Sequence, residues 1–233
     1  MKLSAYIMLG LMLLTVGCKQ LTVKEFVEKQ GHEMMARVEK DADRRIESFL
    51  KDTLSLTYPE SYEPISTDLS IVTNYMLIYD TKAFVALRDL SYALESFRKE
   101  HSDKDSITQE IQDELNVMRS MADVVCDRIH EIIKRPLKLR AIAAYHQFNV
   151  NDNDNQKVRK GYHFIFYKNN KITLLCNNDD FLRVEEFIKQ LSEYPNQYVK
   201  GAPIEGMLLS PLSNAMRVME RASTLFGATE QAP

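Results

Sequence analysis

The apolar residues of this chain change their spacing at Arg135-Pro136, and that change restricts the fold more than any other feature. Before it they recur at steps of three and four, the spacing of one helical face. The cleanest stripe is Ile111, Leu115, Met118, Ala122, Val125, Ile129 and Ile132. After it, 139–150 and 162–176 are rich in β-branched and aromatic residues, and Tyr162, Phe164 and Phe166 alternate with His163, Ile165 and Tyr167. A chain with helical stripes first and alternating strands second is expected to be α+β. It should be helix-rich, with long helices packed on a small, mostly antiparallel sheet of three or four strands.

Residues 22–57 read as one long helix. Thr22 and Glu25 form its capping box, and Gly31, which costs about 1 kcal/mol against Ala in a helix, marks a bend or a break. Pro59 and Pro64 stop it, because proline lacks an amide hydrogen and restricts its predecessor. Between them, 58–65 reads as a rigid extended connector whose Tyr58 and Tyr62 pack on the core with their hydroxyls at its edge. Residues 66–79 satisfy both periods and are read as a strand first and a helix later. A helix over 82–99 buries Phe84, Leu87, Leu90, Leu94 and Phe97; a polar loop follows at 101–105, and Ser106 or Thr108 caps the next helix. That helix ends with Lys134 and Arg135 at the negative end of its dipole. The sheet is expected from 139–150, 162–168 and 171–176, with Lys168-Asn169-Asn170-Lys171 as a hairpin turn. A helix over 179–194, capped by Asn178 or Asp179, turns Phe181, Val184, Phe187, Ile188 and Leu191 inward. A loop at 195–203 and a last helix within 204–226, interrupted near Pro211, complete the reading.

Composition excludes several classes. An apolar share of 45% and a charged share of 27% are ordinary globular values, which speaks against disorder and against multiple membrane spans. A net charge of −3 gives no overall basic footprint for nucleic acid. Seven glycines and no tryptophan weaken glycine-loop nucleotide binding and carbohydrate binding. No nucleophile elbow, phosphate loop, Cys-x-x-Cys or glycine-rich dinucleotide turn is present, and no cofactor is assigned.

The candidate sites are few. His32-Glu33-Met34-Met35-Ala36 begins like a zinc-protease motif but lacks the second histidine on the same helical face, so it cannot hold the metal. His146 and His163 fall on adjacent strands, where they could meet. Asn151-Asp152-Asn153-Asp154-Asn155-Gln156 offers oxygen ligands, with Asp152 and Asp154 the candidate calcium carboxylates; the alternative is a solvated hairpin. An EF-hand starting at Asp152 needs glycine at 157 and glutamate at 163, where the chain has Lys157 and His163. Asn177-Asn178-Asp179-Asp180 reads as a helix cap rather than a ligand set. Cys126 and Cys176 are either a disulfide or two small buried apolar residues.

The N-terminus carries Lys2, then an apolar run from Ala5 to Leu14, and ends Leu14-Thr15-Val16-Gly17-Cys18. The run is too short for a spanning helix, which needs roughly 20 apolar residues. A positive start, a short apolar core and small residues before a cut mark a secretory signal. The segment resembles the lipobox of bacterial lipoproteins, with Thr15 where Leu, Val or Ile is usual three places before the cysteine. The resemblance implies that 1–17 is a signal peptide and that Cys18 carries the lipid. Residues 18–22 are then a lipidated tether, and Lys19, which is not Asp, implies the outer membrane, facing the periplasm.

The stretch Pro59-Glu60-Ser61-Tyr62-Glu63-Pro64, with His146-Gln147-Phe148 further on, resembles segments of small lipoproteins of Bacteroides-type bacteria. That likeness implies a helix before the first segment and an extended segment after it, and brings no activity with it. The remainder is expected as a single α+β domain over 23–226, helical over 23–136 and sheet-containing over 137–226, with a disordered tail at 227–233. The expected function is a lipid-anchored envelope module that binds or interacts with other envelope proteins. Tyr58, Tyr62, His146 and His163 are its candidate binding residues. The alternatives are a periplasmic hydrolase with a site near His146 and His163, or a purely structural envelope lipoprotein.

Overall fold

A computed structural model describes residues 22–53, 58–101 and 108–193. The leader, Cys18, the loop at 102–105, Ser106 and 195–233, for which the sequence sets expectations, lie outside the described residues. The first helix, α1 (Val23–Glu39), opens on the expected capping box. The Glu25 amide donates to Thr22 Oγ1 (3.2 Å) and the Thr22 amide donates to the Glu25 carboxylate (2.7 Å).

The helix runs straight through Gly31, and the chain breaks instead at Lys40-Asp41, before α2 (Ala42–Asp52). The single-helix reading and the break at Gly31 are thereby corrected. Glycine is there for contact: a Cβ would lie 2.7 Å from Ile71 Cδ1, so the missing side chain lets α1 rest on the sheet.

The prolines also act differently from the expected extended connector. Pro59 starts a single 3₁₀ turn (Pro59–Ser61), a position suited to its fixed φ. Pro64 lies inside strand β1 (Glu63–Thr73), where the register shifts between Pro64 and Ser66. β1 is the edge of the sheet, and an edge strand tolerates a residue with no amide hydrogen. The strand at the start of 66–79 is therefore present. The later helix is reduced to one 3₁₀ turn (Leu77–Tyr79), because α3 (Thr81–His101) begins two residues on.

Helices α3 and α4 (Gln109–Ile133) pack on each other along the expected stripes. Every member of the Ile111–Ile132 stripe is buried. The Thr108 hydroxyl accepts the Ile111 amide at 3.3 Å, so Thr108 caps α4.

Strands β2 (Leu139–Asn151), β3 (Lys157–Tyr167) and β4 (Ile172–Asn177) complete an antiparallel sheet in the order β1-β2-β3-β4. Asn155 and Asn170 take the positive φ (57° and 61°) that the two hairpins require. Helix α5 (Asn178–Glu193) follows β4 directly. Its cap is Asn177, whose Oδ1 accepts the Asp180 amide at 2.7 Å, rather than the expected Asn178 or Asp179.

The result is an α+β fold with helices on both faces of a four-stranded antiparallel sheet. In β2 and β3, Ile142, Ala144, Phe148, Phe164 and Phe166 point to one face and pack with Ile46 and Leu50 of α2. Ala141, Ala143 and Ile165 point to the other face, where α3, α4 and α5 gather around Phe84, Leu87, Leu90 and Ile129. Each fully buried aromatic or branched side chain contributes roughly 1.5–3 kcal/mol of transfer free energy, so both faces are substantial cores. Among the described residues, no helix is long and apolar enough to cross a membrane.

Candidate functional site

The register of the β2–β3 hairpin decides the fate of the two histidines. Tyr145 pairs with His163, and His146 pairs with Tyr162. Partners in an antiparallel pair share a face, so His146 and His163 stand one position out of step and point to opposite faces of the sheet. They do not converge, and the joint site expected of them does not form.

His146 is fully buried beneath the α1–α2 layer. Its Nε2 lies 2.8 Å from the Tyr62 hydroxyl and its Nδ1 lies 2.7 Å from Thr67 Oγ1. The Thr67 hydroxyl in turn donates to the carboxylate of Asp43 on α2. Thr67 has one proton and gives it to Asp43, so its oxygen accepts from His146 Nδ1–H. Nε2 is then left to accept the Tyr62 O–H. With the buried ring neutral, donor counting fixes its tautomer and one direction along the whole chain: Tyr62 to His146 to Thr67 to Asp43.

Burial holds the imidazole below its ordinary 6.5, against the opposing pull of the Asp43 carboxylate. Burial, followed by the negative charges of Glu47 and Asp43, pushes the Tyr62 phenol well above its ordinary value. Tyr62 is also only 9% exposed, with Phe148 against its ring at 5.3 Å. A phenol held so firmly in its neutral form is no nucleophile. The chain acts as a strut that ties α2, β1 and β2 together.

His163 is held by rings. It stacks on Phe181 of α5 at 3.7 Å with the planes 9° apart, and on Tyr145 at 4.7 Å. Its Nε2 meets Asn178 Oδ1 at 3.2 Å. Burial lowers its affinity for a proton, with the Asn178 bond acting the other way. The other predicted candidates are scattered. Tyr58 is half-buried at the 3₁₀ turn, and its carbonyl accepts the Ser61 hydroxyl. Asp152 Oδ1 accepts the amides of Asp154 (3.0 Å) and Gln156 (2.9 Å), so this carboxylate shapes the β2–β3 turn, while Asp154 is exposed. Cys126 and Cys176 are free and buried, and burial pushes their thiols up to about 11 and about 12.

Three features were not singled out from the sequence. Among the described residues, one group of potential metal ligands converges: Glu100 and His101 at the end of α3 with Glu114 of α4, all within 4.8 Å. His101 Nε2 bonds Glu114 at 3.0 Å and clasps the two helices. The second feature is a cleft of about 410 Å³ between α1, the α1–α2 junction and the β3–β4 turn. There Arg45 covers the Phe166 ring at 4.7 Å and donates to the Asn170 carbonyl.

The third is a cleft of about 240 Å³ on the other side of Tyr167, between the start of α3, the end of α4 and the ends of β1 and β2. Lys82, Arg128, Arg135 and Arg140 line it, against the single carboxylate of Asp80. Arg128 donates to that carboxylate from Nε (2.9 Å) and Nη2 (2.8 Å), and also to Glu131. Burial acts to raise Asp80, but Arg128, the Ala83 amide and Arg140 hold it below the ordinary carboxylate value. The sequence signal for this cleft is the basic run Lys134-Arg135-Pro136-Leu137-Lys138-Leu139-Arg140, whose first two charges also read as a helix end. No protein-family model, no curated protein and no solved structure matches the chain.

Proposed function

We propose that the chain is an envelope lipoprotein, held by acylated Cys18 to the outer membrane on its periplasmic side, that acts as a binding module for other envelope proteins. The observation that carries this reading is the apolar first turn of α1. Val23 and Phe26 are 63% and 51% exposed, shortly after the Gly17-Cys18 junction. Apolar side chains left in solvent beside a lipid attachment point are suited to the headgroup boundary of the bilayer that the acyl chains enter. Two chains, at about 0.8 kcal/mol per buried methylene, give a stable anchor where one is marginal. The double hydrogen bonding of buried His146, and the placement of His163 on the opposite face, favour binding over the hydrolase alternative.

Two measurements test the reading. Radiolabelled palmitate should enter the protein, and Cys18→Ala should move it from the membrane to the soluble fraction; unchanged fractionation and no label would remove the anchor. Crosslinking in intact cells should then capture envelope proteins, and a chain that crosslinks to none would remove the binding role.

A further inference from the structure

We infer that the cleft lined by Lys82, Arg128, Arg135 and Arg140 is a site for a phosphate-type anion, either a free phosphate group or the headgroup of an anionic lipid. The inference names a ligand class for the binding role proposed above and rests on that role, though not on acylation of Cys18. It begins from charge. The whole chain carries −3, yet this cleft of about 240 Å³ gathers four cations against one carboxylate.

The nearby anions are already engaged. Asp80 is taken by the paired bonds of Arg128. Glu131 bonds Arg128 and lies 3.9 Å from Arg135. Arg128 is thereby fixed as a wall of the site, while exposed Lys82 and Arg140 have no side-chain hydrogen bond among the described residues. The position of Lys82 adds to the imbalance. It sits in the first turn of α3, at the positive end of the dipole, where a cation is unfavourable; the carboxylate at that end, Asp80, accepts the Ala83 amide at 3.3 Å and the paired bonds of Arg128. Like charges crowded at a helix N-terminus repel one another, and a phosphate-type anion between them offsets the repulsion. Guanidinium forks match phosphate oxygens pairwise, and an ammonium adds a point charge. The volume suits a single phosphate group with some water.

The test uses the full chain carrying Cys18→Ala, so that no acyl chain takes it to a membrane. Inorganic phosphate is titrated at low salt by calorimetry, with acetate as the carboxylate comparison. Flotation with phosphatidylcholine vesicles, with and without phosphatidylglycerol, forms the second arm. Phosphate should bind, acetate far more weakly, and Lys82→Gln with Arg140→Gln should weaken phosphate at least about tenfold at an unchanged melting temperature. Lys134→Gln with Lys138→Gln, outside the cleft lining, should leave binding in place. Flotation only with phosphatidylglycerol, lost in the Lys82 and Arg140 variant and without phosphate binding, assigns the headgroup as the source. Binding to neither probe overturns the site, as does equal binding by acetate or equal loss in both double variants. Because crosslinking to envelope proteins is read separately, failure of the cleft and failure of the binding role are distinguishable.

Discussion

The two faces of the sheet bury histidines at neighbouring positions by different means. On the α1–α2 face, His146 is fixed at both nitrogens in a directional chain of hydrogen bonds, among Phe148, Phe164 and Phe166. On the α3–α5 face, His163 lies flat between Phe181 and Tyr145 with one bond to Asn178. Both imidazoles are kept neutral by burial. The difference is that one is specified by donor and acceptor direction and the other by shape. Hydrogen bonds in a buried site are costly to leave unmade, whereas a stacked ring tolerates small displacements. The α1–α2 face should therefore be the less forgiving.

The strongest attack on that contrast is made on β3 itself, where Phe164 and Ile165 are adjacent and face opposite ways. Phe164→Ala should cost about 3–5 kcal/mol and Ile165→Ala about 2–5 kcal/mol by denaturant titration; a larger loss at Ile165 would reverse the ranking of the faces. Gly31→Ala should cost about 1–3 kcal/mol, because the new methyl meets Ile71. The loss should vanish in an Ile71→Ala background, and a double-mutant cycle with no coupling would place the cost elsewhere. Next, Tyr62→Phe leaves His146 Nε2 without its donor and should cost about 1–3 kcal/mol. Asn178→Ala should cost only about 0.5–1.5 kcal/mol, since half-exposed Asn178 is readily replaced by water; equal losses would erase the distinction.

The smallest effect is the pH dependence. Both histidines titrate below 6.5 when folded, so the unfolded chain binds more protons between the folded values and 6.5. Stability should fall as pH drops through that window and level off beneath it. Replacing His163 with Phe should shallow the slope, as read from denaturation midpoints across a pH series.

The parts legible in the sequence were those set by local rules. The Ile111–Ile132 stripe, the Thr22–Glu25 box and the Asn169-Asn170 turn each depend on residues within a few positions of one another. The parts that were missed depend on distant partners. Gly31 looks like a helix breaker until Ile71 is seen against it. The strand expected at the start of 66–79 is present, but its extension back through Pro64 to Glu63 depends on pairing with β2. His146 and His163 were correctly placed on neighbouring strands, but facing depends on a register one residue out of step. The basic run at 134–140 was visible in the sequence, while Lys82 and Arg128 join it only through the packing of α3 on α4.

Pro64 carries a last consequence. Among the described residues β1 forms one margin of the sheet, and the other, β4, is only six residues long. A foreign strand trying to extend the sheet along β1 meets a residue with nothing to donate, a shifted register immediately after it, and then the exposed charge of Asp68. Rims blunted in this way do not splice readily to a second copy, so crowding such molecules together need not cost them their solubility.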